Sequence, residues 1–273
     1  MADFADYIER IEIEALWNGR RHIVWDLRRD VNILSGVNGV GKSTILNRVV
    51  NHLLGMQHVD KGLKGVKVTL SPQGTETLRF DVIRSFDRPL LRGDMFDKVV
   101  DSKLNSELDL QLYQLQRRYL DYQVNASKRI VELFTKGDPN AQQRAQEIAQ
   151  EKAHFQDLVD ELFAETGKKI DRESNEIFLL QMDERLSPYK LSSGEKQMLL
   201  ILLTTLVQDK QPYVLFMDEP EISLHIDWQQ RLIGLVHDLN PNAQIILTTH
   251  SPAVIMDGWT DCVVDVEDII VKE

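Results

Sequence analysis

Cysteine is nearly missing from this 273-residue chain. Cys262 stands alone, so no disulfide can close within the sequence, and a reducing, cytoplasmic setting is expected. It lies in an apolar run near the C-terminus and reads as a small buried hydrophobe rather than a reactive thiol. No run of about 18 apolar residues occurs, so no membrane-spanning helix is expected. The start, Met1-Ala2-Asp3-Phe4, lacks the basic and apolar stretches of a signal peptide. The seven histidines are scattered, with no Cys/His grouping at zinc spacing. Positive charge is outnumbered, 32 Lys and Arg against 43 Asp and Glu. A net formal charge of −11 repels DNA phosphates and disfavours unaided duplex binding. Arg20-Arg21 and Arg28-Arg29 come nearest to a basic patch, and such short pairs are ordinary solvated surface. Internal repeats, low-complexity tracts and long linkers are missing too.

What is present is an ordinary globular composition, 42% hydrophobic and 27% charged. The length suits one large domain, or one domain carrying an insertion, with a sizeable core.

The stretch Gly36-Val37-Asn38-Gly39-Val40-Gly41-Lys42-Ser43-Thr44 fits the phosphate-loop pattern G-x-x-x-x-G-K-[ST]. An apolar run, Val31 to Leu34, leads in as a buried strand, and a helical pattern from Ser43 to about Leu54 leads out. Strand, glycine loop and helix are the context this motif needs. Glycines let successive backbone N–H groups turn toward one anion, and the helix N-terminus adds partial positive charge. Lys42 is placed to reach the β- and γ-phosphates of a nucleotide, and the Ser43 hydroxyl to ligate Mg²⁺.

Before the loop, Ile8 to Leu16 alternates apolar and charged residues from Ile11 onward and reads as a strand with one wet face. Asn18-Gly19 signals a hairpin turn, and His22 to Leu27 reads as the returning strand. After it, Val66 to Leu70 and Thr77 to Ile83, separated by a turn around Pro72-Gln73-Gly74, read as two more strands of an antiparallel flap beside the nucleotide. From about Phe96 the period changes. Leu104, Leu108, Leu112, Leu115, Tyr119 and Tyr122 open one face of a long helix that continues to Leu133. Lys136 to Asn140 breaks it, and a second run from Ala145 to Leu162 repeats the spacing. Together they read as an inserted helical hairpin. A membrane-lying helix would need a basic polar face, and this one is mixed.

Farther on, Glu176 to Gln181 reads as a strand, and Leu191 to Val207 as a loop followed by a buried helix. Tyr213 to Met217 is an unbroken apolar run ending in Asp218-Glu219-Pro220-Glu221. That is a central parallel strand delivering acids at its carboxyl end. Trp228 to Leu239 is the next helix, and Gln244 to Thr248 another buried strand, ending at Thr249-His250-Ser251-Pro252. A short helix and edge strands, including Cys262 to Val266, close the chain.

Three further pieces carry chemistry. Asp218 suits the Mg²⁺ shell and Glu219 the orientation or deprotonation of an attacking water; a surface acidic turn is the alternative. Leu191-Ser192-Ser193-Gly194-Glu195 places serine hydroxyls and amides at a helix start. That is either a phosphate site or an ordinary capped N-terminus. His250 at a strand end could donate to a γ-phosphate oxygen or be a satisfied structural histidine.

In this order and spacing, the four pieces resemble the ABC-type ATPases. Residues 36–44 look like Walker A, LSSGE at 191–195 like the signature motif, VLFMDE at 214–219 like Walker B, Glu221 to His225 like the D-loop, and His250 like the switch histidine. The resemblance implies an α/β fold: a P-loop ABC-ATPase head with a mixed central sheet, an antiparallel β flap and an inserted helical hairpin. It divides the chain into an N-terminal lobe (1–95), the hairpin (96–170) and a C-terminal lobe (171–273). The variants LSSGE, DEPEISLH and TTHSP are similar to the soluble branch of SMC and RecF-like ATPases. That branch includes stand-alone ATPases of prokaryotic defence operons, among them retron- and Septu-linked ones.

The resemblance implies an ATP hydrolase using ATP and Mg²⁺, with Gly36, Asn38, Gly39, Gly41, Lys42, Ser43 and Thr44 around the phosphates. It implies metal binding by Ser43 and Asp218, and catalysis by Glu219 with His250. It also implies a head-to-tail homodimer in which Ser192, Ser193 and Gly194 of one copy meet the γ-phosphate held by Lys42 of the other. A separate effector such as a nuclease is expected, with nucleic acid reached through that complex and no membrane partner. The transporter subunit and the RecF-like repair ATPase are the alternatives. Two positions depart from the family. Ile83-Arg84-Ser85-Phe86-Asp87 stands where a Q-loop glutamine belongs, Gln181 being too close to the signature to replace it. Adenine stacking is unassigned: Trp17 and Trp25 are candidates, though each reads first as core or flap packing.

Overall fold

A computed structural model describes residues 4–16, 21–59, 63–84 and 104–271. Its contacts divide the chain into a unit built on sheets, Met1–Ser85 with Lys210–Glu273, and a largely helical unit, Phe86–Asp209.

The first half of the sheet unit contains β1 (Phe4–Ala5), β2 (Tyr7–Leu16), β3 (Arg21–Asp26), β4 (Val31–Ser35), α1 (Lys42–Val59), β5 (Val66–Ser71), β6 (Thr77–Leu78) and β7 (Phe80–Arg84). Strand β2 pairs antiparallel with β3 on one side and β5 on the other, giving the expected flap. Its alternation has the expected cause. Ile11 and Ile13 are buried while Glu12 is half-buried and Glu14 exposed. The Asn18-Gly19 turn lies outside the described residues. Helix α1 extends beyond Leu54 and buries Ile45, Leu46, Val49, Val50 and Leu53, spaced by threes and fours.

One expectation needs correcting here. Thr77 to Ile83 is not a single flap strand. It breaks at Arg79, where β6 pairs in parallel with β1 and β7 joins the central sheet beside β11 (Tyr213–Asp218). Alternation reveals a strand but not which sheet receives it. Parallel pairing also joins segments far apart in the chain, here by more than a hundred residues.

The helical unit holds α2 (Glu107–Thr135), α3 (Ala141–Leu162), β8 (Lys169–Ile170), β9 (Leu179–Gln181), β10 (Glu184–Leu186) and α4 (Ser193–Val207). Helices α2 and α3 are antiparallel. Tyr119 packs on Phe155 with ring centroids 6.4 Å apart, and Lys152 Nζ donates to Gln123 Oε1 at 2.7 Å. Ser106 caps α2, accepting from Asp109 N. Burial pushes the Tyr119 phenol up to about 12. The strand expected over Glu176 to Gln181 is confined to its last three residues, because Ile177 gives its N–H and C=O to the Gln116 side chain instead of a ladder. Helix α4 is buried nearly all round, as its apolar run demands. Among the described residues no helix is long and apolar enough to cross a membrane.

The chain then returns to the sheet unit with β11, α5 (Ile226–Leu239), β12 (Ala243–Thr248), α6 (Pro252–Met256) and β13 (Val263–Asp265). The expected α/β head is present. The central sheet runs β13-β4-β12-β11-β7, and each of its pairings is parallel, so antiparallel pairing in this unit belongs to the flap. Every residue of β12 is buried. At its start, Gln244 behaves like a peptide group. Its Oε1 accepts from Ile8 N at 2.8 Å, and its Nε2 donates to Ile8 O at 2.9 Å and Arg28 O at 2.6 Å, tying flap strand β2 to the central sheet. Cys262 is buried, and burial raises its thiol pKa.

Candidate active site

Strands β4, β12 and β11 are neighbours, with Asp218 opposite Thr248 and Thr248 opposite Leu34. The chain therefore leaves β4 into Gly36, β12 into Thr249-His250, and β11 into Glu219 along one edge of the sheet. The strands are apolar because both faces are covered. Polar groups first become affordable where the strands end, at the carboxyl edge where open α/β sheets bind ligands.

The 36–44 loop turns on glycines in the left-handed region, Gly36 at φ 145°, Gly39 at 82° and Gly41 at 106°. A side chain on Gly36 would also meet Val40 Cγ1 at 3.0 Å. Asn38 and Gly39 form the exposed crest, Thr44 is exposed, and Ser43 is half-buried. Lys42, only 4% exposed, begins α1 and folds back over the loop, its Nζ donating to Gly36 O at 2.8 Å and Val37 O at 3.3 Å. A cation is thus held inside a ring of backbone at a helix N-terminus, the chemistry that suits a polyphosphate.

The acids at the end of β11 are fixed through β12. The buried Thr248 hydroxyl donates to Asp218 Oδ1 at 2.6 Å and accepts from Glu219 N at 3.1 Å. Glu219 N also reaches Thr248 O at 3.0 Å. Glu219 sits at φ 48°, a left-handed conformation that costs a non-glycine residue about 1–3 kcal/mol unless its surroundings impose it. Here those two bonds impose it, and the carboxylate meets His250, with Glu219 Oε1 3.2 Å from Nδ1.

Glu221 supports the other side of His250. Its Oε1 accepts from Thr249 Oγ1 at 2.5 Å and from His250 N at 3.4 Å. Its Oε2 is buried and has no hydrogen-bond partner among the described residues. Gln229 of α5 closes the frame, accepting from Ser251 Oγ at 2.7 Å and donating to Leu224 O at 2.9 Å. Thr248, Thr249 and Gln229 are site-building residues that sequence reasoning passed over. It gave Glu221 no role beyond the D-loop resemblance. The available signal was a Thr-Thr-His triplet following the apolar run Ile245 to Leu247.

The 191–195 loop belongs to the helical unit. The capped-terminus alternative is realised there. Ser192 accepts from Glu195 N, and Glu195 Oε2 accepts from Ser192 N and Oγ at 3.0 Å each, a capping box. Glu195 Oε1 accepts from Thr166 Oγ1 and Lys168 Nζ, both at 2.9 Å. Burial alone would raise the Glu195 pKa, but Lys168, Ser192 and Thr166 outweigh it and hold the carboxyl below its ordinary value. Ser192 and Ser193 remain exposed at the helix start, beside a half-buried Gly194.

Other candidates fare differently. Trp25 is 2% exposed within the core, so no base can stack on it, and Trp17 lies outside the described residues. Gln181 donates to Thr166 O at 2.8 Å. Of the run at the Q-loop position, residues 85–87 lie outside the described residues. Of the arginine pairs, Arg20 lies outside them, Arg28 reaches Cys262 Sγ at 3.7 Å, and Arg29 covers the Tyr7 ring.

Comparison with known proteins gives the geometry a family. Residues 75–257 match the family described as "AAA domain, putative AbiEii toxin, Type IV TA system". The chain belongs to that family. The matched stretch contains Asp218, Glu219, His250 and the 191–195 loop, and begins downstream of the phosphate loop. Two curated relatives are similar over shorter stretches. One is the "Retron Vc95 probable ATPase" of Vibrio cholerae serotype O1 biovar El Tor, 26% identical over 40% of this chain and 27% of its own length. The other is the "Septu protein PtuA" of Bacillus thuringiensis, 45% identical over 18% of this chain and 12% of its own. The matches thus span about a quarter and an eighth of those relatives. In three dimensions the chain resembles an SMC head crystallised with the C-winged helix domain of ScpA. The TM-score is 0.52 at 14% identity, over 92% of this chain and 91% of that one. The family is thus that of the AbiEii-like AAA domain, the fold is that of an SMC head, and parts of the chain are similar to a retron-linked and a Septu protein.

Proposed function

We propose that this chain binds and hydrolyses ATP with Mg²⁺, and that two copies close head to tail around the nucleotide as a switch for a separate effector in anti-phage defence. The observation that carries the reading is the convergence of Lys42, Asp218, Glu219 and His250 at the carboxyl ends of three adjacent parallel strands.

The residues present fit the ligands. Left-handed glycines at 36, 39 and 41 bend the loop, and the Lys42 ammonium lies at its centre. Gly36, Asn38, Gly39, Gly41 and Thr44 would line the phosphates, with Lys42 neutralising the β- and γ-oxygens. Among the described residues no group of three or more His, Cys, Asp or Glu could hold a metal by itself. Mg²⁺ would therefore be shared by Ser43, Asp218 and phosphate oxygens, as is usual for this ion. Bound there, it would neutralise developing phosphoryl charge.

The protein's own work is positional. Thr248 keeps Asp218 aimed and pins the strained Glu219 backbone. Glu219 accepts a proton from the water that attacks the terminal phosphorus. His250 has Nδ1 against Glu219, and its imidazolium form would donate from Nε2 to the same phosphoryl group. Ser192, Ser193 and Gly194 of the second copy would complete the γ-phosphate contacts from the start of α4, where both serines are exposed. The defence role and the effector are carried over from the retron and Septu relatives and from the resemblance of the motifs.

Two substitutions test this. Lys42→Ala should reduce ATP affinity more than roughly tenfold by calorimetry, the equivalent of one charge-assisted contact. Glu219→Gln should leave affinity near that of the parent while turnover falls roughly 10²–10⁴-fold, as loss of a general base does. Parent-rate hydrolysis by the Glu219 variant would remove it from catalysis. Parent-like ATP binding by the Lys42 variant would dismiss the phosphate loop.

A further inference from the structure

Helix α2 carries two apolar stripes. Leu108, Leu112, Leu115, Tyr119 and Tyr122 are buried within the helical unit. A second stripe comprises Tyr113, Leu120, Val124, Val131 and Phe134. With Arg117 and Ser127 filling the gaps, its positions alternate steps of four and three, the spacing of a coiled-coil seam. Most of this stripe faces outward, with Val124 66%, Val131 59% and Phe134 58% exposed, Tyr113 less so and Leu120 half-buried. Single exposed apolar residues are ordinary, but a row about 30 Å long marks an interface.

We propose that a second copy of this chain packs on the seam, α2 against α2, antiparallel and without nucleotide. The flanks choose the occupant. On one flank Gln116 is committed to the Ile177 backbone, accepting from N at 2.8 Å and donating to O at 2.9 Å, and Gln123 Nε2 donates to Asn175 O at 2.7 Å. On the other flank Asp121 and Lys128 are exposed. Parallel copies would bring this flank against the glutamines and pair no charge. Antiparallel copies bring like flanks together, and Asp121 of each then lies beside Lys128 of the other. With the two-fold axis near Asn125-Ala126, Leu120 faces Val131, Val124 faces the small Ser127, and Arg117 reaches the Phe134 ring. Each favourable pair occurs twice, the self-complementarity that a two-fold contact requires.

Sedimentation of the full chain without nucleotide tests this, and doing it in the Lys42→Ala background separates it from any ATP-driven pairing. A dimer is expected in both. Val124→Glu with Val131→Glu should abolish it at unchanged helicity and melting temperature, since both sites are exposed. Asp121→Lys alone should weaken association roughly tenfold, two opposed pairs turned repulsive. Asp121→Lys combined with Lys128→Asp should restore the parent affinity, a rescue that only antiparallel self-pairing produces. Monomers throughout, a dimer indifferent to the glutamates, or a failed rescue would overturn the proposal.

Discussion

The two ends of β12 bury polar groups equally well and use them differently. At the amino end, Gln244 has both donors and its acceptor occupied by backbone groups of Ile8 and Arg28. At the carboxyl end, Thr248 and Thr249 hold Asp218 and Glu221, yet His250 is 43% exposed and Glu221 Oε2 has no hydrogen-bond partner among the described residues. A fully satisfied polar group stabilises and then has nothing left to offer. A group fixed by its neighbours but incompletely satisfied is held in position to act, because low dielectric makes its remaining capacity strong.

The contrast can be broken from the amino end first. Gln244→Leu strands three backbone groups in the core and should cost about 2–4 kcal/mol, read as a drop in melting temperature or denaturation midpoint. Turnover per folded molecule should stay at the parent value. A large loss of turnover in the folded fraction would mean the two ends are not separable. Thr248→Val makes the opposite test. It keeps the shape, removes the donor to Asp218, and leaves Glu219 N with one acceptor. The expectation is a roughly 10- to 100-fold loss of kcat with ATP affinity little changed, as for a misplaced catalytic group.

Smaller effects sharpen the picture. Glu221→Ala frees Thr249 and the His250 backbone, and should lower kcat about tenfold, in line with loss of one positioning contact. Glu221→Gln, still an acceptor for Thr249, should recover most of it. If Gln and Ala behave alike, the carboxylate charge rather than the hydrogen bond matters. The smallest effect concerns Glu195, another satisfied centre. Glu195→Gln should cost about 1–2 kcal/mol of stability at neutral pH by weakening the Lys168 contact and the capping box. The folded carboxyl is held below its ordinary 4.5, so its contribution is complete above that pH and fades as pH falls through the folded value. The gap between parent and variant should therefore close on acidification. A gap that widens would reverse the sign.

Much of this was legible beforehand because local chemistry wrote it. The glycine spacing of residues 36–44, the apolar run into Asp218-Glu219 and the 3.6-residue period of α2 each encode an element and its end. Thr77 to Ile83 was misassigned because alternation is blind to which sheet a strand joins. Glu176 to Phe178 looked like strand because nothing nearby shows Gln116 competing for the Ile177 backbone from about sixty residues away. Gln244 and Thr248 inside a hydrophobic strand, and Thr249 just past its end, carry small or neutral polar side chains, and their roles appear only when partners from distant segments are brought opposite them. The capping box at Ser192 and Glu195 could be read as a pattern. Its ties to Thr166 and Lys168 could not.

The central claim is that the constellation at the carboxyl ends of β4, β11 and β12 cleaves ATP held between two copies. Sedimentation of the Glu219→Gln variant with MgATP, with bound nucleotide quantified across the boundary, tests it most directly. A nucleotide-dependent assembly larger than the nucleotide-free species, retaining uncleaved ATP at one per chain, is the predicted result. An assembly state unchanged by ATP, with nucleotide released as ADP at the parent rate, would contradict it.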